Sequence, residues 1–351
     1  MKVEERYMWR CLQLALNGKG LVSPNPMVGA VIVHSGKIIG EGFHRCYGGP
    51  HAEVNAINSV KNKSLLKDAT MYVSLEPCSH HGKTPPCSDL ILENQIPNVV
   101  VACSDPFPNV AGRGIAKLKE AGVNVKVGLL EREALELNKE FITAQQKGRP
   151  YIYLKWAKSR DGFIDRKRES AKDGTPAKLS NSFTQMLVHK KRTEIDAIMV
   201  GTNTACLDNP LLNARLWHGH NPTRIVLDRR LRINPNSNTL NDIAHTIVFT
   251  ERDSSPRDRS TNEYISIKFD DDLIKNILFR LKEKGINSLM VEGGGILLQN
   301  FINKELWDEA FIETSNAVLS DGIPSPCIKG HLVDEYMWNG AKQTHLVSTR
   351  L

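Results

Sequence analysis

The sequence predicts an α/β protein of two domains, and three observations carry that expectation. Strand-like apolar runs alternate with helical stretches along nearly the whole chain. At 351 residues the chain exceeds what one typical core holds. The alternation is punctuated where a charged amphipathic helix at 131–146 runs into Gly148-Arg149-Pro150, and Gly-Pro pairs mark boundaries. Residues 1–148 and 149–351 are therefore the expected domains.

Taken in order, Met8, Cys11, Leu12, Ala15 and Leu16 fall on one face of an opening helix. Strands are expected at 28–33 and 38–44, around a turn at His34-Ser35-Gly36-Lys37. A helix at 51–58 follows, then strands at 71–75, 98–103 and 123–129, with a helix at 114–121 among them. A central sheet covered by helices results. After the boundary, strands are expected at 151–157, 197–201, 223–227, 246–249 and 288–291. Helices are expected at 183–193, at 273–284, and from Ile296 onward. The polar run from Arg252 to Asn262 reads as a surface loop.

Composition narrows the class. The chain is 40% hydrophobic and 24% charged, as in soluble globular proteins. It has no run approaching the ~18 apolar residues of a membrane span. Its charged start lacks the apolar core of a signal peptide. Seven scattered cysteines argue against a disulfide framework, and a reducing cytoplasm suits thiolate ligands. The net charge of +7 is spread along the chain apart from short clusters such as His189-Lys190-Lys191-Arg192. A phosphorylated small substrate accounts for it as well as nucleic acid does.

The sharpest chemical signal is His51-Ala52-Glu53 followed by Pro77-Cys78 and Cys87. It supplies one imidazole, two thiolates and one free carboxylate. Catalytic zinc takes three protein ligands and leaves its fourth position to water, whose pKa falls from about 16 toward 7. Zinc deaminases carry a Glu two residues after the ligand His, where it moves protons without binding metal. The usual second motif is P-C-x-x-C, whereas here eight residues, Ser79 to Pro86, separate the cysteines. A closed structural zinc module is one alternative, but it needs a fourth ligand and leaves Glu53 idle. A nucleic-acid deaminase is another, and the long insert argues against it.

In the second half, the strand–glycine turn–helix at 289–301 offers backbone N–H groups to a phosphate. It is not G-x-G-x-x-G. The stretch from Val200 to Thr204, continuing to Asp208 and Arg215, has the composition of a binding loop. Arg215 suits a bidentate phosphate contact.

Together these motifs resemble the bifunctional deaminase–reductases of riboflavin biosynthesis. The resemblance is carried by Ser23-Pro24-Asn25-Pro26, Val28 to Val33, Gly42-Phe43-His44, His51-Ala52-Glu53-Val54 and the run Leu75 to Cys87. Ser104-Asp105-Pro106, Val110 to Gly114, Lys155 to Gly162, Val200 to Thr204, Asp208 to Arg215 and Val291 to Gly295 extend it over nearly the whole chain. It implies a cytidine-deaminase-like three-layer domain and then a dihydrofolate-reductase-like domain. The first would deaminate a diaminopyrimidinone ribosylamino 5′-phosphate, and the second would reduce the ribosyl group to ribityl with NADPH. By the same match, His51, Cys78 and Cys87 would hold one zinc ion per chain, and Glu53 would transfer protons. Asn25, His44, His80 and Lys83 would hold the deaminase substrate. Ala157, Thr204, Asp208 and the segment Gly294, Gly295, Ile296, Leu297, Leu298, Gln299 and Asn300 would bind the cofactor. Arg192, Leu212, Arg215 and Glu292 would bind the second substrate. A small phosphorylated pyrimidine and a homo-oligomer are expected, without nucleic acid or membrane. One departure stands out: Pro176 to Ser180 carries Lys178 but no Trp, where the family usually has a Ser-x-Trp-Ile-like stretch. It leaves open an active deaminase joined to a degenerate reductase.

Overall fold

The computed structural model describes residues 3–79, 85–106, 112–252 and 261–349. It divides into two compact units, Met1–Gly148 and Arg149–Leu351. In the first unit the elements run α1 (Val3–Leu16), β1 (Gly29–His34), β2 (Lys37–Phe43), α2 (Ala52–Ser59), β3 (Thr70–Val73), α3 (Cys87–Glu93), β4 (Asn98–Val101), α4 (Arg113–Glu120), β5 (Asn124–Val127), α5 (Glu131–Leu137) and α6 (Lys139–Lys147). The sheet order is β2-β1-β3-β4-β5. Strand β1 is antiparallel to both neighbours, and β3, β4 and β5 are parallel.

Alternation along β1 creates the layers. Ala30 and Ile32 face Ala52, Ala56, Ile91 and Leu118 of α2, α3 and α4. Val31 and Val33 face Met8, Cys11 and Leu12 of α1 and Ala134 of α5. Period-2 strands buried on both sides need apolar residues throughout, as Gly29 to Val33 supply. The expected three-layer unit is thus present.

The second unit adds β6 (Tyr151–Lys158), β7 (Phe163–Asp165), α7 (Ser182–Arg192), β8 (Ala197–Gly201), α8 (Thr202–Asp208), β9 (Thr223–Leu227), β10 (Thr246–Thr250), β11 (Asn262–Ser266), α9 (Leu273–Glu283), β12 (Ser288–Glu292), α10 (Gly295–Asn303), β13 (Glu309–Thr314), β14 (Ile323–Pro324), β15 (His331–Trp338) and β16 (Ala341–Val347). Its main sheet runs β11-β10-β9-β8-β12-β6-β13-β16-β15. It is parallel from β11 to β13 and antiparallel at β16 and β15. Ile152, Leu154 and Trp156 pack against α9 and α10, while Tyr151 and Tyr153 face the opposite core. The carboxyl ends of β6, β8 and β12 lie side by side, where open α/β sheets bind ligands.

Four expectations change. The single helix at 131–146 is two helices that meet at Asn138. That side chain accepts from Met27 N–H at 2.8 Å and donates to Met27 C=O at 2.9 Å, so it clamps a loop strand-fashion from inside a helical region. Leu16 is exposed, because α1 ends there and the chain turns away. The binding-loop stretch at 202–208 is helical, as α8. Asn262 is buried and opens β11, since its amide donates to Leu240 C=O at 2.9 Å. Among the described residues, no helix is long and apolar enough to cross a membrane.

The Asn138 clamp generates a test. Asn138→Ala leaves both Met27 backbone groups without this partner and should cost about 2–4 kcal/mol. Denaturant unfolding should show the first unit weakened and the second unchanged; equal stability of the first unit would refute the clamp.

Candidate functional site

Two strand–helix connections, β2 to α2 and β3 to α3, build the site of the first unit. His51 occupies the N-cap position of α2, and Glu53 lies in its first turn. Cys87 opens α3. Cys78 lies on the segment that leaves β3. His51 Nδ1 is 3.3 Å from Cys87 Sγ and 3.6 Å from Cys78 Sγ. All three ligand atoms lie within 4.8 Å of one another, the spread expected around a single ion. It is the one such cluster among the described residues. One nitrogen and two sulfurs are the donor set of catalytic zinc with an open position.

The surroundings favour charge on Cys78, whereas contact with Cys78 and burial push the Cys87 thiol up. The Cys87 backbone N–H donates to Cys78 Sγ at 3.3 Å. A hydrogen bond from Cys87 and the His51 imidazole hold Cys78 well below the usual thiol range. Contact with Cys78 raises His51 in return. Glu53 is almost fully buried. Burial, and then the Cys78 charge, push its carboxyl up to about 7. A group that titrates near neutrality is suited to taking and giving protons.

Asn25 and His44 join this site. His44 Nδ1 lies 3.0 Å from Pro50 C=O and must donate to it. Its Nε2 then accepts from the Asn25 amide at 3.1 Å. That pattern requires a neutral ring, and burial lowers the His44 pKa accordingly. The ring stands edge-on to His51 at 5.6 Å between centroids. His80 and Lys83 lie outside the described residues.

The second unit holds a cavity of about 970 Å³ at the carboxyl ends of β6, β8 and β12. Ala157, Thr204, Asp208, Gly294, Gly295, Ile296, Leu297 and Asn300 line it, as do Arg192, Leu212, Arg215 and Glu292. Leu298 instead faces the core, and Gln299 bonds to Asn303 and the Cys327 backbone. Gly293 and Gly294 have φ of 81° and 73°, a region that suits glycine, and they lead into the N-terminus of α10.

Charge in the cavity is organised in pairs. Arg192 grips Glu292 through two bonds of 3.1 and 2.7 Å and donates to Asn213 C=O at 2.9 Å. Burial opposes the Glu292 charge, but the Arg192 guanidinium outweighs it and keeps the carboxyl below its usual range. Asp208 pairs with Arg168, which also binds Asp165. Burial still leaves the Asp208 pKa raised. Lys155, Lys178, His189 and Arg232 are further titratable side chains in the lining.

The motif reading gave Lys155, His189 and Arg232 no role in the site, although Lys155 opens a matched run and His189 a basic cluster. For Lys155 the available signal was a charge set inside an otherwise apolar, buried strand. The 189–192 cluster is not a basic patch either: Arg192 and His189 line the cavity, while Lys191 sits 3.7 Å over the Tyr153 ring.

Comparison with known proteins covers both units. Residues 1–103 match the family described as the cytidine and deoxycytidylate deaminase zinc-binding region. Residues 150–319 match the one described as the RibD C-terminal domain. Riboflavin biosynthesis protein RibD of Aquifex aeolicus is 38% identical over 92% of this chain and 89% of its own length. That of Bacillus amyloliquefaciens is 40% identical over 88% of this chain and 83% of its own. Among solved structures, a diaminohydroxyphosphoribosylaminopyrimidine deaminase/5-amino-6-(5-phosphoribosylamino)uracil reductase from Thermotoga maritima superposes with a TM-score of 0.88 at 36% identity, covering 99% of both chains. Acinetobacter baumannii RibD gives 0.88 at 31% identity, also over 99% of both. With both halves matched, a nucleic-acid deaminase or a degenerate second domain is not favoured.

Two outcomes are expected. Arg192→Ala strands a buried carboxylate, which costs about 3 kcal/mol or more, so the second unit should unfold at clearly lower denaturant. His189 is held down to about 4 by burial, with the Arg192 and Arg215 charges adding to it. It stays neutral in the fold, whereas the unfolded chain gains a proton below about pH 6.5. Stability of the second unit should therefore fall between pH 6.5 and 4. His189→Gln should flatten that slope in denaturant titrations at pH 7.5 and 5, and an unaltered slope counts against the assignment.

Proposed function

Because the chain belongs to the RibD family of riboflavin biosynthesis, with a zinc-type deaminase domain joined to a reductase domain, we propose that it acts on 2,5-diamino-6-ribosylamino-4(3H)-pyrimidinone 5′-phosphate and then on the deaminated product. The end product would be 5-amino-6-(5-phosphoribitylamino)uracil. The observation that carries the first step is the His51–Cys78–Cys87 cluster with Glu53 buried beside it.

In the first step, His51, Cys78 and Cys87 would hold one zinc ion per chain. When bound, zinc supplies the Lewis acidity that makes water a nucleophile near neutral pH. Glu53 accepts a proton from the attacking water. It delivers that proton to the exocyclic nitrogen as the carbon–nitrogen bond breaks. The second proton of the water ends on the adjacent ring nitrogen, the ring carbon becomes a carbonyl, and ammonia leaves. Asn25 and His44 hold the ring, with His44 fixing the Asn25 amide. His80 and Lys83 serve the phosphate in this reading.

In the second step, a bound NADPH would supply hydride to the anomeric carbon of the ribosyl group; the bond from that carbon to the ring oxygen breaks, and the oxygen takes up a proton to become a hydroxyl of the ribityl chain. The family match supports a nicotinamide cofactor in general. Lys178 and Arg232 on the cavity wall are cations suited to the extra phosphate of NADPH. Arg192, Leu212, Arg215 and Glu292 position the phosphorylated sugar. The cavity orients the two reactants and excludes water. Seven cysteines, none of them in a disulfide, fit a reducing cytoplasm.

A coupled assay tests this. Purified protein given the diaminopyrimidine substrate should release ammonia and then oxidise NADPH. Glu53→Gln should reduce ammonia release at least ~100-fold while metal analysis still finds zinc. Stoichiometric loss of zinc from that variant would overturn the role of Glu53 as a non-ligand. Ammonia release without NADPH oxidation by the wild type would overturn the second step.

A further inference from the structure

Helix α4 contributes no ligand, yet it is fastened to both cysteine segments. Glu76 lies two residues before Cys78, and its buried carboxylate accepts four backbone N–H groups. Oε2 takes those of Asp105 at 3.1 Å and Gly112 at 3.0 Å. Oε1 takes those of Gly114 at 2.9 Å and Ile115 at 3.2 Å, in the first turn of α4. The backbone of Glu76 itself donates to Cys103 C=O at 3.0 Å.

Gly114 marks how close this contact is. A Cβ added there would sit 1.9 Å from Pro77 C=O, the carbonyl that precedes Cys78. One turn further on, Lys117 pairs with Asp89, two residues after Cys87 in the first turn of α3. The two cysteine segments are also tied directly, since Ser88 N–H donates to Cys78 C=O at 3.1 Å.

We propose that Glu76 is a positioning residue for the zinc centre: it locks α4 against Pro77 and thereby fixes where Cys78 Sγ stands relative to Cys87 and His51. The proposal rests on the zinc-deaminase reading above and deepens it. The chemistry follows from the donor count. A carboxylate offers two oxygens to four N–H donors and needs none in return. Glutamine has the same shape, but its amide nitrogen would face two N–H donors. One pair of anchors then opens, and the turn carrying Cys78 gains freedom. Partners outside the ligand set typically change metal affinity or activity by about 10–100-fold.

The experiment compares the wild-type full chain with Glu76→Gln and Gly114→Ala, each loaded with zinc. It reads the rate of zinc transfer to a chromogenic chelator, the absorption spectrum of the cobalt-substituted protein, ammonia release, and the reductase activity on deaminated substrate. Both variants should lose zinc about tenfold or more faster, shift the cobalt–thiolate bands and release ammonia more slowly. Reductase activity of the same chains should stay at the wild-type level. Wild-type zinc retention and cobalt spectra in both variants would overturn the proposal. So would unfolding of the first unit in both, because Glu76 would then serve the fold at large. A wild-type chain that binds no zinc would refute the zinc-deaminase reading instead, whatever the variants do.

Discussion

Two sulfurs and an imidazole held within 4.8 Å are the constraint around which the first unit is arranged. Thiolates repel one another, and without a counter-charge a flexible chain would let them part. The fold resists this by placing each ligand on a rigid junction. His51 and Cys87 stand at the starts of α2 and α3, where helix dipoles favour negative charge nearby. Cys78 lacks a helix of its own and depends on hydrogen bonds from its neighbours. Those neighbours in turn are set by buried packing of α2, α3 and α4 on one sheet face. The Glu53 carboxyl inherits its environment from the same burial.

The second unit answers a different demand. It must hold two sizeable anionic molecules together, so it places a wide cavity over parallel strand ends and lines it with cations. Uncompensated, so many cations would destabilise an empty cavity. The Arg192–Glu292 and Arg168–Asp208 pairs neutralise part of that charge inside the wall. Substrate binding would then compete with contacts already made. The protein thus keeps its arginines ordered in advance, which lowers the entropy lost on binding.

Much of this was legible in the chain. Parallel strands buried on both faces read as continuous apolar runs, so β8 and β9 are expected with the bounds they have. The His-Glu and Cys spacing exposes the ligand set because metal chemistry tolerates few residue types. What stayed hidden depends on distant partners. The break at Asn138 comes from a loop 111 residues earlier in sequence, and nothing in the local pattern announces it. Glu76 sat inside a recognised motif, but its task is defined by N–H groups that carry no side-chain signature. The antiparallel strand β15 lies exposed at the sheet edge with the partly buried β16 beside it, and neither shows a clear alternation. In α10 the sequence match ran through seven consecutive positions, whereas a helix can present only some of them to one side. Leu298 and Gln299 fall on the other sides for that reason.

The glycine turn before α10 has a consequence for redesign. Where a cofactor is gripped by main-chain N–H groups at a helix start, the grip is blind to side-chain identity and to small differences between related cofactors. If the cofactor docks at the start of α10 as proposed, Gly293, Gly294 and Gly295 would contribute attraction without discrimination. On the proposed function, selectivity between nicotinamide cofactors would then be written elsewhere on the cavity wall, in side chains such as Lys178 and Arg232. Evolution of cofactor choice in this fold can then proceed by swapping peripheral charges while the main-chain cradle is left untouched.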